Sequence, residues 1–509
     1  AVERHRFQGV DMGITLRRYY PYGEMTAHVV GYIGRINERE LETIDQADYS
    51  GTSHIGKTGL ERYYEEQLHG EVGVQQVEMD ATSHIMRVID TQHPVNGKDI
   101  RLHFDIELQR LAMEALGEHS GSVVAIDIKN GGILALASKP GFDANLFVDG
   151  ISFKDYGALR ENPETPLVNR GIHGRYPPGS TIKPFIALAG LELGNVSAHQ
   201  TVYCPGFYRI KGSGRKFRDW KKSGHGTTNL IKAIEQSCDI YFYNLAYSMG
   251  IDNLHDYLAQ FHFGKPTGAD MPNETGAVLP STAWKQQRYK RPWVPGDTVN
   301  AGIGQGYMLV SPIQLAYATA VLAGDGKLIT PRLASHINNL PLALEQSEPQ
   351  LIGKVSPLHW QQVIEGMSQV VEGARGTARR LRNDFYRVAG KTGTAQVISM
   401  KQNETYDEKR LAKDKHDHAL FVAFAPTDDP QIAVAVIVEH GGHGGSTAAP
   451  IAKLIMDAYL LGIDGLAQQQ PGEDPAGQPQ QETASAPAAD VAGSGEAAAG
   501  SDTAEEHAQ

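Results

Sequence analysis

Arg175-Tyr176-Pro177-Pro178-Gly179-Ser180-Thr181-Ile182-Lys183-Pro184 leads into an apolar helical run, Phe185-Ile186-Ala187-Leu188-Ala189-Gly190-Leu191-Glu192-Leu193-Gly194, that ends on glycine. A proline inside a helix clashes with the carbonyl four residues back. Pro184 therefore fixes where the helix starts and puts Ser180 at its N-terminus, where unpaired N–H groups and the helix dipole favour developing negative charge. The three-residue spacing turns Ser180 and Lys183 onto one face. A serine attacks at neutral pH only beside a base, and a lysine is such a base only when desolvation or positive neighbours lower its pKa. Alone, Ser-x-x-Lys more often marks a capped helix with a solvated lysine. The rest of the chain has to decide.

Two later stretches change the balance. Ser237-Cys238-Asp239 follows Ser180 by 57 residues, and Lys391-Thr392-Gly393-Thr394 follows Ser237 by another 154. Each is weak alone, but in this order they form the set that an acyl-transfer site requires: nucleophile, proton shuttle, oxyanion hole and anion clamp. Around them the pattern is that of a sheet. Ser122 to Ile128 and Ile133 to Ala137 flank Lys129-Asn130-Gly131-Gly132, a hairpin signal. Phe385 to Ile398, Ala419 to Ala425 and Gln431 to Glu439 predict three more strands, and Leu102 to Ile106 a short one before a helix carrying Leu108, Leu111, Ala112, Ala115 and Leu116 on one face. Residues 140 to 380 read as mainly helix and loop. A last helix carries Ile451, Leu454, Ile455 and Ala458 on one face. Strands at both ends of a domain around a helical insertion predict an α+β fold with one antiparallel sheet.

The chain has 509 residues and a formal charge of −12, of which eight acids between Glu473 and Glu506 supply −8. The remainder is too nearly neutral to imply nucleic acid or another polyanion as a partner. From Gln468 to Gln509 there is no lysine, arginine, aromatic residue, leucine or isoleucine, a composition that cannot bury a core. The expected organisation is a polar N-terminal module over 1–100, the main domain over 101–466 and a disordered acidic tail over 467–509. No apolar stretch is long enough to span a membrane. The chain opens at Ala1 without a starting Met, so an upstream membrane anchor is expected to be missing.

A rival from another class comes from Gly51-Thr52-Ser53-His54-Ile55-Gly56-Lys57-Thr58, a formal phosphate-loop match, with Val123-Val124-Ala125-Ile126-Asp127 as its acidic partner strand. Such a loop should follow a buried strand, but Leu41 to Ser50 is polar. An ATPase is therefore rejected.

With these motifs the chain resembles the class B penicillin-binding proteins, in particular the cell-elongation group of Gram-negative bacteria. Gly56 to Glu61 resembles the pedestal motif and Tyr176 to Pro184 the nucleophile motif. Pro295-Gly296-Asp297-Thr298 through Gly302-Ile303-Gly304-Gln305-Gly306-Tyr307, His418 to Pro426 and Gly441 to Ser446 extend the likeness. The resemblance implies a transpeptidase domain with a five-stranded sheet above an N-terminal pedestal, working as a peptidoglycan D,D-transpeptidase at the periplasmic face of the inner membrane. It implies that Ser180 attacks the penultimate D-alanine of a stem peptide, with Lys183 as acylation base. Ser237 and Lys391 would shuttle protons, and the N–H groups of Ser180 and Thr394 would form the oxyanion hole. Thr392, Gly393 and Thr394, with Asp239, would bind substrate, and β-lactams would acylate Ser180. Implied partners are the SEDS-family glycosyltransferase and rod-complex scaffold proteins. Two alternatives stay open, a β-lactam sensor or allosteric activator of that polymerase and a serine β-lactamase. One departure is Asp239, where the family usually has asparagine. A carboxylate cannot donate as an amide does, so Asp239 is expected to pair with a neighbouring lysine.

Cys204, Asp219, His225 and Cys238 lie within 35 residues and offer a tetrahedral ligand set for a structural zinc behind Ser237. A disulfide and two unlinked thiols are the other readings. No cofactor is expected for catalysis. His416-Asp417-His418 reads as a solvated strand entrance, and His440 and His443 are assigned no chemistry.

Overall fold

The computed structural model describes residues 16–342, 350–397 and 411–463. At its centre is an antiparallel sheet of β1 (Gly121–Asp127), β2 (Ile133–Lys139), β3 (Ala389–Ala395), β4 (His418–Ala425) and β5 (Ile432–Val438), in the spatial order β3-β4-β5-β1-β2. The β1–β2 turn is closed by its own side chains. Asp127 Oδ1 accepts from the N–H of Lys129 at 2.8 Å, and Asn130 Oδ1 accepts from that of Gly132 at 2.6 Å. Every residue of β5, and of β4 after His418, is buried. Strands covered on both faces read as continuous apolar runs, which is why this sheet shows so little alternation.

The helices that bear on the sheet and site are α1 (Ile106–Leu116), α2 (Lys183–Glu192), α3 (Leu230–Glu235), α4 (Asp239–Met249), α5 (Pro312–Ala323), α6 (Pro357–Glu372) and α7 (Ala448–Leu461). Helices α1 and α7 pack on each other and on the sheet, α5 packs on β1, β4 and β5, and α6 packs on β3 and α2. Leu108 and Leu116 of α1 and Ile451 and Ile455 of α7 are buried as their spacing predicts, each contributing about 1.5–3 kcal/mol.

Several boundaries differ from expectation. The short early strand is Ile100–Leu102, and it stops there because Asp105 caps α1, accepting from the N–H groups of Glu107 and Leu108 at 2.8 and 3.1 Å. Strand β3 starts later than predicted because Asn383 Oδ1 accepts from the N–H groups of Phe385 and Tyr386 at 2.9 and 3.1 Å and turns the chain. Ile398, its predicted end, lies outside the described residues. Among the described residues, the helical insertion also contains four small ribbons: 202–204 with 226–228, 207–208 with 217–218, 327–328 with 350–351 and 334–337 with 340–341.

The phosphate-loop match holds a strand, His54–Gly56, paired with Ile33–Arg35, and the Lys57 ammonium pairs with Glu40. No open phosphate cradle follows a buried strand there. Among the described early residues, Val29, Leu60 and Tyr64 enter the main core, while Tyr20 and Ala27 pack with Phe142, Phe147 and Val148 in a second cluster. Tyr64 OH also donates to buried Asp270 Oδ2 at 2.8 Å, and Asp270 accepts from the N–H groups of Leu333 and Ala334 at 2.6 and 2.8 Å. Removing that carboxylate leaves three buried donors unpaired, each costing about 1–3 kcal/mol. We predict that Asp270→Ala lowers unfolding free energy by at least about 3 kcal/mol, read by denaturant titration, and that Asp270→Asn lowers it less. An unchanged midpoint for Asp270→Ala would refute this account.

Candidate active site

Ser180 sits on a short 3-10 turn, Gly179–Ile182, that runs directly into α2. The Ser180 carbonyl, which Pro184 would otherwise crowd, accepts instead from the N–H of Lys183. The serine is thus at the helix N-terminus as the proline argument requires, but on a tightened turn. The approach to it is fixed by Tyr176, whose OH donates to Glu439 Oε1 at 2.6 Å while Arg170 Nε donates to the same oxygen at 3.0 Å.

Ser237 lies in the tight connection between α3 and α4 with φ +55°, a left-handed conformation that is uncommon for serine. Lys183, fully buried, reaches across to it. Its Nζ donates to Ser237 O at 2.9 Å, Ser237 Oγ at 3.2 Å and Asp239 Oδ1 at 2.6 Å. The expected partner of Asp239 is therefore Lys183 itself. These three acceptors match the three protons of an ammonium, and the Ser180 hydroxyl has no hydrogen-bond partner among the described residues. Trp220 closes the same loop, its N–H donating to Asp239 Oδ2 at 3.1 Å and its Nε1–H to the carbonyls of Gln236 and Ser237, each at 3.1 Å.

The third side is β3, an edge strand of the sheet. Lys391 is fully buried, and its Nζ donates to Thr392 O at 2.9 Å. Burial first, and then the neighbouring Lys183 charge, hold its pKa well below the ordinary lysine range. Thr392 Oγ1 lies 2.8 Å from Thr377 Oγ1. A Cβ on Gly393 would lie 2.7 Å from Thr181 Cγ2 and 3.1 Å from Pro178 O, so its missing side chain seats β3 against the Ser180 turn. Gln305 supports this junction by donating from Nε2 to Thr394 O at 3.1 Å.

Cys204, Asp219, His225 and Cys238 converge behind Ser237, all buried, with their ligand atoms within 4.8 Å of one another. Cys204 Sγ lies 3.5 Å from Asp219 Oδ2 and 3.6 Å from His225 Nδ1, and Cys238 Sγ lies 3.6 Å from Asp219 Oδ2. The cysteines are unlinked, which removes the disulfide. Bond lengths of about 2.3 Å to sulfur and 2.0 Å to nitrogen or oxygen put tetrahedral ligands roughly 3.3–3.8 Å apart, so the set fits zinc. Burial pushes both thiols up, and the Asp219 charge raises Cys238 further; a bound dication reverses that preference. Asp219 Oδ2 also accepts from the N–H groups of Asp239 and Ile240 at 3.0 and 3.4 Å.

Four residues here were given no role by sequence reasoning: Trp220, Gln305, Thr377 and Glu439. Gln305 stood inside a stretch that carried the family likeness. The other three are separated in sequence from everything they touch, and nothing local marked them. His418 is a partly buried strand residue rather than a solvated one. Its Nδ1 accepts from the N–H of His440 at 3.0 Å, and its ring meets the edge of Tyr176.

The described penicillin-binding protein transpeptidase domain matches residues 121–457, and the penicillin-binding protein dimerisation domain matches 1–102. The peptidoglycan D,D-transpeptidase MrdA of Haemophilus influenzae is 45% identical over 469 residues, 90% of this chain and 72% of that protein. The crystal structure of Pseudomonas aeruginosa PBP2 in complex with WCK 5153 is 45% identical with a TM-score of 0.78, over 88% of this chain and 91% of that one. Helicobacter pylori PBP2, solved in complex with MreC, is 32% identical with a TM-score of 0.78, over 88% and 79% of the two chains. The chain belongs to the penicillin-binding protein transpeptidases, with the α+β transpeptidase fold that its sequence predicts. Within them it falls in the PBP2 group, as a serine D-alanyl-D-alanine transpeptidase of peptidoglycan.

The state of Lys391 has a stability signature. Its folded pKa is depressed, so between that value and about 10.4 the unfolded chain binds more protons and stability rises with pH. Lys391→Met removes the titration. We predict that the rise in unfolding free energy from about pH 7 to pH 10 flattens in Lys391→Met, measured by denaturant titration. Parallel pH profiles for the two proteins would contradict the assignment.

Proposed function

We propose that the chain cross-links stem peptides during cell elongation through an acyl-enzyme on Ser180. The observation that carries the assignment of roles is the reach of Lys183 to both Ser237 and Asp239, which makes one site of the helix start and the second motif. The hydroxyl oxygen of Ser180 attacks the carbonyl carbon of the penultimate D-alanine, the peptide C–N bond breaks, and D-alanine leaves with a proton on its amine. Lys183 takes the Ser180 proton once one of its own has passed through Ser237 Oγ to Lys391, whose hold on a proton burial weakens, and Lys391 then returns that proton through Ser237 Oγ to the leaving amine. The acceptor amine then attacks the ester, and the proton path runs in reverse. The N–H groups of Ser180 and Thr394 hold the oxyanion, while Thr392, Thr394 and Lys391 hold the substrate carboxylate. Gly393 keeps these groups close to the serine turn, and Asp239 holds Lys183 in place. No cofactor enters these steps.

The proposed location is the periplasmic face of the inner membrane; among the described residues no helix is long and apolar enough to cross it. The proposed partners are the SEDS-family polymerase and rod-complex scaffold proteins, the latter supported by the Helicobacter pylori relative solved with MreC. β-Lactams would enter as mimics of D-alanyl-D-alanine. Intact-mass analysis with benzylpenicillin is expected to show one lasting adduct on wild type and none on Ser180→Ala. Rapid loss of the adduct would favour a β-lactamase, and no adduct on wild type would sink the nucleophile assignment.

We further propose one structural zinc held by Cys204, Asp219, His225 and Cys238. Its chemistry is electrostatic: it stabilises two thiolates and an aspartate in a buried space. Protein prepared without chelator is expected to contain about one zinc per chain, and His225→Ala to lose it along with several degrees of melting temperature. A metal-free wild type of unchanged stability would count against the site.

A further inference from the structure

Beside the junction of Gly179, Gly304 and Thr394, the chain builds an aromatic shelf. The Tyr307 ring lies 5.5 Å from that of Trp284, 5.4 Å from Tyr289 and 6.1 Å from Trp293, centroid to centroid. Tyr307 stands two residues after Gln305, which binds Thr394 O at 3.1 Å, and Gly304 O accepts from the N–H of Gly179 at 3.0 Å. The shelf is therefore tied by a few residues of backbone to the turn that carries Ser180. It is also rigid from below. Buried Lys285 lies 5.6 Å from the centre of the Trp293 ring and 5.2 Å from that of Tyr307, and its ammonium is neutralised by Asp297. With its own cation already inside, this cluster is not a cage for a cationic ligand.

Its rim has the opposite preference. Arg288, Lys290 and Arg291 are exposed and form no ion pair among the described residues. The helix Thr282–Tyr289 would favour one cation in its last turn, and Arg288 satisfies that. Lys290 and Arg291 lie beyond the helix, in a chain whose charge is otherwise net negative. Fixed aromatic faces bordered by unpaired cations are complementary to a peptide that carries carboxylates, with its backbone against the rings and its charges at the rim.

We propose that Trp284, Tyr289 and Tyr307, with Arg288, Lys290 and Arg291, form a subsite for the carboxylate-bearing part of a stem peptide, upstream of its D-alanyl-D-alanine end. This rests on the transpeptidase reading and adds to it where the rest of the substrate lies. Benzylpenicillin mimics only the reacting end and has nothing to place there.

The test uses the whole chain and two soluble pentapeptides ending in D-alanyl-D-alanine, one with free side carboxylates and one with them amidated. Each is titrated as a protectant against acylation by a fluorescent penicillin. On wild type, the free-carboxylate peptide is expected to half-protect at a concentration about tenfold lower than the amidated one. In the triple variant Arg288→Ser, Lys290→Ser, Arg291→Ser that difference should vanish, and in Lys290→Arg with Arg291→Lys it should persist. Equal protection by both peptides on wild type, no protection by either, or a difference that survives the triple variant would each overturn the subsite. Failure of wild type to be labelled by penicillin at all would instead be a failure of the transpeptidase reading.

Discussion

A fully buried ammonium needs a partner, and most of the catalytic architecture follows from how Lys183 finds one. Its contact with Asp239 at 2.6 Å places a carboxylate at the first residue of α4. Leaving either charge alone in that interior would cost about 3–5 kcal/mol, so helices α2 and α4 are held in one relative position by electrostatics as well as packing. The Ser237 loop is fixed in turn, because Lys183 also binds the Ser237 carbonyl and hydroxyl. A left-handed serine is strained unless its surroundings over-determine it, and here Lys183 and Trp220 both bond to its carbonyl.

Asp219 extends this arrangement to the proposed metal. One of its oxygens faces the two cysteines and also accepts from the first two N–H groups of α4. The other accepts from Lys221 at 2.9 Å. The ligand set and the Lys183 partner thus share one helix start, and displacement of Asp219 would move Asp239 with it. A second constraint is steric. A Cβ on Gly179 would meet Thr394 O at 2.5 Å, and one on Gly304 would meet Gly179 O at 2.3 Å. Three backbone segments from distant parts of the chain meet there with no room for side chains, and that contact sets how far β3 lies from Ser180.

Much of this could be read from the sequence because its strongest signals are local. Pro184 after Ser180, the side-chain-closed turn after Asp127 and the unbroken apolar runs of β4 and β5 each dictate structure within a few residues. The four proposed metal ligands were legible because their chemistry restricts which residue types serve. What escaped was anything decided by long-range contact. That Gly393 seats β3 against the Ser180 turn is visible only once Thr181 is placed beside it. Glu439 ended a strand without any sign that it would hold Tyr176 and Arg170. The early residues gave no hint that Tyr64 would bond to Asp270, 206 positions away.

The electrostatic balance of the site explains why its two lysines behave differently. Lys183 has Asp239 at hydrogen-bond distance, whereas Lys391, whose hydrogen bond among the described residues is to the Thr392 carbonyl, is disfavoured as a cation first by burial and then by the Lys183 charge, with Asp239 opposing them. With one carboxylate beside two buried amines, Lys391 is the one whose hold on a proton is weakened. A substrate brings the missing anion, because the D-alanyl-D-alanine end carries a carboxylate, and an opposite charge placed near Lys391 favours its protonated form. On the proposed function, substrate arrival and proton uptake would thereby be coupled. In the proposed mechanism, the amine whose proton affinity burial lowers in the free enzyme would hold a proton more readily when a carboxylate enters, which is when Ser180 would have one to give up.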